Sequence, residues 1–87
     1  MATYTGTVFP NGSVSAGDEF YHTEQNGRYV YLGGDVKNMN NWKPNGVNVS
    51  VDFDTSLWDS RQNGANWFNT VDQQWKGFNG LDIVLLG

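Results

Sequence analysis

His22 is the one histidine of this sequence, and cysteine is absent. Phe20 and Glu24 stand two residues to either side of it, so on a strand all three share a face. A general base oriented by a carboxylate needs that arrangement. No cysteine is present to serve as nucleophile, and a surface or half-buried histidine paired with an acid accounts for the same spacing. Asp52 and Asp54 also share a strand face, with Asp59 on a following loop, while Asp35, Asn38 and Asn40 form a second oxygen-rich group after Gly33-Gly34. Calcium takes six to eight oxygen ligands, but neither group shows the twelve-residue loop with its closing glutamate, and no zinc spacing exists. Solvated faces and Asx turns explain both groups, so no metal and no cofactor is expected. A glycosidase needs two carboxyl groups across a sugar, whereas Asp52 and Asp54 aim the same way. Catalysis is not expected.

The aromatic residues carry more information. Trp42, Trp58, Trp67 and Trp75 all stand in polar company, in the stretches Asn40-Asn41-Trp42-Lys43, Trp58-Asp59, Asn66-Trp67 and Gln73-Gln74-Trp75-Lys76. An indole offers a flat apolar face and one donor, which suits the C–H face and hydroxyl rim of a sugar when amides stand beside it. A chain this short also needs its tryptophans as core. The expectation is two buried, one a partial cover and one free, with Trp42 or Trp75 as the platform. The candidate ligand-binding set is Trp42, Trp75, Trp67, Tyr29, Tyr31, Asn40, Asn41 and Gln74. The density of Trp, Asn and Gly in a short cysteine-free β chain resembles small microbial lectins, with no motif aligning residue by residue.

The elements that must position these residues are punctuated by Asn-Gly. The pair begins at Asn11, Asn26, Asn45, Asn63 and Asn79, at intervals of 15, 19, 18 and 16 residues. Asn-Gly favours the type I′ turn, in which both central residues need positive φ. At least three of the five are read as hairpins. The intervals are read as turn punctuation and not as a repeat, because the residues between turns do not resemble each other. Strict alternation marks Val47 to Phe53 as a strand, and Arg28 to Leu32, Thr3 to Phe9 and Glu19 to Glu24 read as others. Leu81 to Leu86 is apolar on both faces apart from Asp82, which predicts a central strand or one lying against a second subunit. Within 57–78, Trp67, Val71, Trp75 and Phe78 have helical spacing, yet mediocre helix formers favour strand and loop over a short helix near 65–76. The predicted fold is all-β: one domain over 1–87, an antiparallel meander, barrel or sandwich of about six to eight strands joined by Asn-Gly hairpins.

Size and charge narrow the function classes. The 87 residues suffice for one core. Nine acidic residues against five basic ones, without a run of either sign, exclude a nucleic-acid binder that tracks phosphates. Met1 to Pro10 lacks the order of a signal peptide, and no apolar run approaches the length of a membrane span, so a soluble chain without membrane contact is expected. The expectation is a non-enzymatic binding module, lectin-like, taking a glycan or other neutral polar ligand through exposed Trp, Tyr and amide side chains. The alternative is a structural or interaction protein, such as a viral decoration or assembly subunit or a small protein inhibitor, that meets a protein partner through an apolar β surface. A homo-oligomer and a monomer are equally open.

Overall fold

Alternation decides which side of each strand is buried, and in this chain it places nearly all the large aromatics on one side. The computed structural model describes residues 2–87, which form seven strands: β1 Thr3–Gly6, β2 Glu19–His22, β3 Gly27–Tyr31, β4 Trp42–Val49, β5 Asn66–Asn69, β6 Gln74–Phe78 and β7 Ile83–Leu85. They lie in chain order in a single mixed sheet. The pairs β2–β3, β3–β4, β5–β6 and β6–β7 are antiparallel, while β1–β2 and β4–β5 are parallel. Parallel neighbours need long crossovers, and these are the segments 7–18 and 50–65, which hold no helix beyond a 3-10 turn at Ser60–Gln62. The expected all-β architecture and strand number therefore hold, and the structure adds the two parallel pairings.

Phe20, Tyr29, Tyr31, Trp42, Val47, Ala65, Trp67 and Phe78 form the buried core on one face of the sheet. The crossovers fold back over that face with Phe9, Val14, Phe53 and Trp58, and the β3–β4 connection adds Val36. Phe9 packs edge-on to Trp42 and Tyr29, and Trp58 packs edge-on to Trp67 and Phe78. The opposite face carries Tyr21, Arg28, Val30, Lys43, Asn45, Asn66, Phe68 and Trp75, and no part of the described chain lies across it as a second layer.

β4 shows why its sequence alternates as it does. Trp42 and Pro44 face the core before Gly46, and Val47 and Val49 face it afterwards. The register shifts by one residue between Asn45 and Val47, with Gly46 at φ 81°, so a bulge reverses the parity. The first half of β4 pairs antiparallel with β3 and the second half pairs parallel with β5. The alternation from Val47 to Phe53 predicts a longer strand than forms. β4 ends at Val49 and Val51 is 76% exposed, because the chain there turns away to begin the crossover.

One further expectation holds and two are corrected. The stretch within 57–78 forms strand and loop as favoured, and the alternative short helix near 65–76 does not form: Trp67 and Trp75 alternate on β5 and β6 about a four-residue turn, where Gln73 takes φ 55°. The C-terminal strand is not central, since β7 pairs only with β6 and lies at the sheet edge. Two of the five Asn-Gly pairs stand at hairpin turns, against at least three expected. Asn26-Gly27 closes the β2–β3 turn and Asn79-Gly80 lies in the β6–β7 turn, but Asn45-Gly46 is the bulge, and Asn11-Gly12 and Asn63-Gly64 lie in the crossovers.

The chain is also built as a structural repeat with an offset of 47 residues, which the Asn-Gly intervals conceal. Gly17 N–H donates to Tyr31 O at 2.8 Å, and Gly64 N–H donates to Phe78 O at 2.8 Å. Tyr31 to Asp18 and Phe78 to Ala65 match at 2.9 Å each. Thr23 and Thr70 both bond by backbone N–H and by hydroxyl to the strand before their hairpin, at Gly6 O and Val49 O. Asn26 at φ 52° corresponds to Gln73 at φ 55°. Even the turn chemistry is mapped. His22 Nδ1 accepts from Gln25 N–H where Asn69 Oδ1 accepts from Asp72 N–H, and Tyr29 donates to Gln25 where Lys76 donates to Asp72.

Candidate functional site

Of the eight residues singled out from the sequence, six are committed to the core or to its loops. Trp42, Trp67 and Tyr29 are at most 1% exposed and Tyr31 is buried, so none offers a ring face to a ligand. Their polar atoms are engaged as well. Trp42 Nε1–H donates to Val36 O at 2.9 Å, Tyr29 donates to Gln25 Oε1 at 2.5 Å, and Tyr31 donates to Gly34 O. Burial pushes the Tyr29 phenol up to about 12, with the Gln25 bond opposing it. Asn40 Oδ1 accepts from Trp58 Nε1–H at 3.2 Å, and Asn41 donates to Asp35 O and accepts from Arg61. Polar neighbours in sequence thus mark bonds that hold down the crossovers. The two core tryptophans, the partly covered Trp58 and the one exposed Trp75 match the expected division.

The titratable groups are engaged structurally in the same way. Asp52 Oδ1 accepts from Trp67 Nε1–H at 3.0 Å and Asn69 Nδ2–H at 2.9 Å, and Oδ2 pairs with Lys76 Nζ at 2.7 Å. Desolvation raises its pKa, but the bonds from Asn69, Lys76 and Trp67 outweigh it and hold the carboxyl below its ordinary 3.8. Lys76 also pairs with Asp72 at 2.6 Å, and its hydrogen bonds to Asp52 and Asp72 raise its pKa against desolvation. Asp35 and Asp54 close Asx turns onto Lys37 and Ser56, and Asp59 caps the 3-10 turn. No group of three potential metal ligands converges among the described residues.

Trp75 and Gln74 remain, and they stand together at the β6–β7 end of the sheet. Trp75 is 43% exposed on the open face, directly across from Phe68, with ring centroids 5.3 Å apart. Beside them Gly77 lacks a side chain, and Leu86 fills that space: a Cβ at Gly77 would stand 3.1 Å from both Leu86 methyl groups. A shallow cavity of about 200 Å³ is lined by Gln73, Gln74, Trp75, Leu85 and Gly87. Leu81, Leu85 and Leu86 are more than half exposed and Ile83 is 37% exposed, so the apolar surface continues over the edge strand. Leu86 N–H donates to Trp75 O and Asn79 N–H to Asp82 O. By strand alternation, Ile83 and Leu85 then point their amides and carbonyls outward from the edge. Sequence reasoning had the apolar strand but placed the tryptophans by their neighbours alone; the period-two pattern of β6 would have set Trp75 opposite Lys76.

Among the described residues no helix is long and apolar enough to cross a membrane. Comparison with protein-family models, curated proteins and solved structures finds no match to this chain.

Proposed function

We propose that this chain is a non-enzymatic protein-interaction module whose working surface is the apolar β6–β7 edge, and that its ligand is an extended polypeptide. The carrying observation is β7 itself: an edge strand with outward backbone donors and acceptors, flanked by exposed Leu85, Leu86 and Trp75. Apolar side chains beside an open strand edge are the two components of strand addition, in which main-chain bonds give affinity and side-chain pockets give selectivity. The engagement of His22 and the carboxylates in turns and caps favours binding over catalysis. A second reading, carbohydrate binding, draws support from Trp75 standing beside Gln73 and Gln74 at the shallow cavity. One indole offers a single stacking platform, whereas the polypeptide reading uses the whole edge.

The test sets wild type, Leu85→Lys and Trp75→Ala against a random peptide display library and a glycan array. Selected peptides that bind wild type and lose at least tenfold in affinity with Leu85→Lys are expected. Glycan signal that depends on Trp75 and ignores Leu85, with no peptide enrichment, would overturn the polypeptide reading in favour of carbohydrate.

A further inference from the structure

Asn-Gly is a reactive pair as well as a turn former, because glycine leaves the backbone nitrogen after the asparagine unshielded. That nitrogen attacks the side-chain carbonyl carbon, forming a C–N bond, and its proton leaves with the expelled ammonia. Water then opens the resulting succinimide at either carbonyl, leaving aspartate or isoaspartate. The ring closes where the side chain is free to swing over the next nitrogen and that nitrogen holds no hydrogen bond. The five pairs of this chain differ in both respects. Gly64 N–H donates to Phe78 O at 2.8 Å, which ties up the nitrogen after Asn63. Asn79 Oδ1 accepts from Leu81 N–H at 2.9 Å and Asp82 N–H at 2.7 Å, which holds that side chain in an Asx turn. Asn45 is paired on β4 with Arg28 on one side and Asn66 on the other, and its Oδ1 accepts from Asn66 Nδ2–H at 3.3 Å. Gly27, after Asn26, is buried opposite His22 and packed against the backbone of Gly46 and Val47.

From this difference we infer that Asn11 is a modification site, where the folded protein converts its own asparagine to aspartate and isoaspartate. Asn11 and Gly12 are both exposed, and neither makes a hydrogen bond to another described residue. From Thr7 to Val14 no backbone N–H donates to another described residue, whereas the second crossover is bonded in this way at Trp58, Gln62, Asn63, Gly64 and Ala65. The first crossover is held by side chains instead. Phe9 and Val14 pack against the core, so 10–13 is a strap between two anchors. The Tyr4 hydroxyl donates to Ser13 O at 3.4 Å and leaves both reacting groups untouched. Gly12 lies outside the left-handed region, and a Cβ there would meet nothing within 4 Å, so space surrounds the reacting pair. Conversion adds one negative charge to the chain's −4 and, as isoaspartate, lengthens the strap by one backbone atom.

The test follows amide loss at each of the five pairs. Wild type is aged in mildly alkaline buffer, folded and in strong denaturant, then digested and sequenced by a tandem mass spectrometry that separates aspartate from isoaspartate. In the folded protein Asn11 is expected to convert at least about fivefold faster than any other pair, since each of those must first lose a hydrogen bond or its strand pairing. In denaturant the five rates are expected to converge, because the protection belongs to the fold. Another pair converting first in the folded protein overturns the inference. An equal lead for Asn11 in denaturant also overturns it, by placing the preference in the local sequence. Gly12→Val puts a branched side chain beside the attacking nitrogen at a position with room for it. It is expected to slow the reaction at Asn11 by about tenfold or more, with thermal unfolding unchanged. Undiminished loss in that variant, yielding aspartate without isoaspartate, overturns self-conversion in favour of direct hydrolysis.

Discussion

Asp52 shows how much of this molecule depends on single polar residues beside aromatic ones. Its two oxygens gather the indole of Trp67, the amide of Asn69 and the ammonium of Lys76, so one crossover residue pins β5 and β6 from the covered side. The hydrogen bonds hold its folded pKa below the ordinary 3.8, so the stabilisation it gives is complete above that value and is lost as pH falls through the folded pKa. Asp18, bonded by the amides of Ala2 and Ser15, acts in the same direction. Stability measured by urea unfolding is expected to drop between about pH 5 and 2, and Asp52→Asn should be less stable at neutrality but flatter over that interval. Parallel curves for the two proteins would assign the acid sensitivity elsewhere. Tyr29 gives the opposite limb. Its phenol is raised to about 12 by burial, so the folded state keeps the proton longer than the unfolded one. Stability is therefore present below the ordinary value of 10.0 and declines between there and about 12. Ultraviolet titration should show one tyrosine ionising only with unfolding, and Tyr29→Phe should remove that step.

At the scale of elements, β3 starts close against the β4 bulge at Gly27. A Cβ on Gly27 would stand 2.5 Å from Val47 Cα and 2.6 Å from the Gly46 carbonyl, all backbone atoms that cannot swing aside. Gly27→Ala is expected to cost about 3 kcal/mol or more in thermal or urea unfolding, since it must separate β3 from β4. A loss under about 1 kcal/mol would mean that the bulge yields easily. This element also explains what was legible beforehand. Alternation in 28–32 and 47–49 marked β3 and the second half of β4 because apolar residues there point into the core. The first half of β4 was hidden by Trp-Lys-Pro-Asn-Gly at 42–46, a turn-like string that is here a strand with a bulge. The repeat was hidden because its matching positions exchange chemistry: Tyr29 and Gln25 make a neutral bond where Lys76 and Asp72 make an ion pair, and Phe20 stands where Trp67 does. The candidate site was legible in part. Trp75 and Gln74 are exposed on β6 beside the edge strand, whereas Trp42, Trp67, Tyr29 and Tyr31 face inward, because polar sequence neighbours occupy the opposite side of a strand.

The whole molecule measures 35 × 26 × 18 Å with a radius of gyration of 12.3 Å. Its thinnest dimension fits one sheet and one covering layer at the usual spacing of about 10 Å. The bare face and both free edges follow from that construction, since the crossovers reach only the side that holds the aromatic core. A molecule whose strands follow one another across the sheet in chain order also has its two ends on opposite margins. Tension applied between residues 2 and 87 therefore acts across the strands and opens hydrogen bonds a few at a time, like a zip, in place of shearing a whole ladder at once. In an optical trap the chain should yield at low force and in steps that follow strand order, beginning at a margin and halting at β4, whose two halves bind both units together. A single abrupt rupture of all seven strands would show instead that the covering loops, and not the ladders, bear the load.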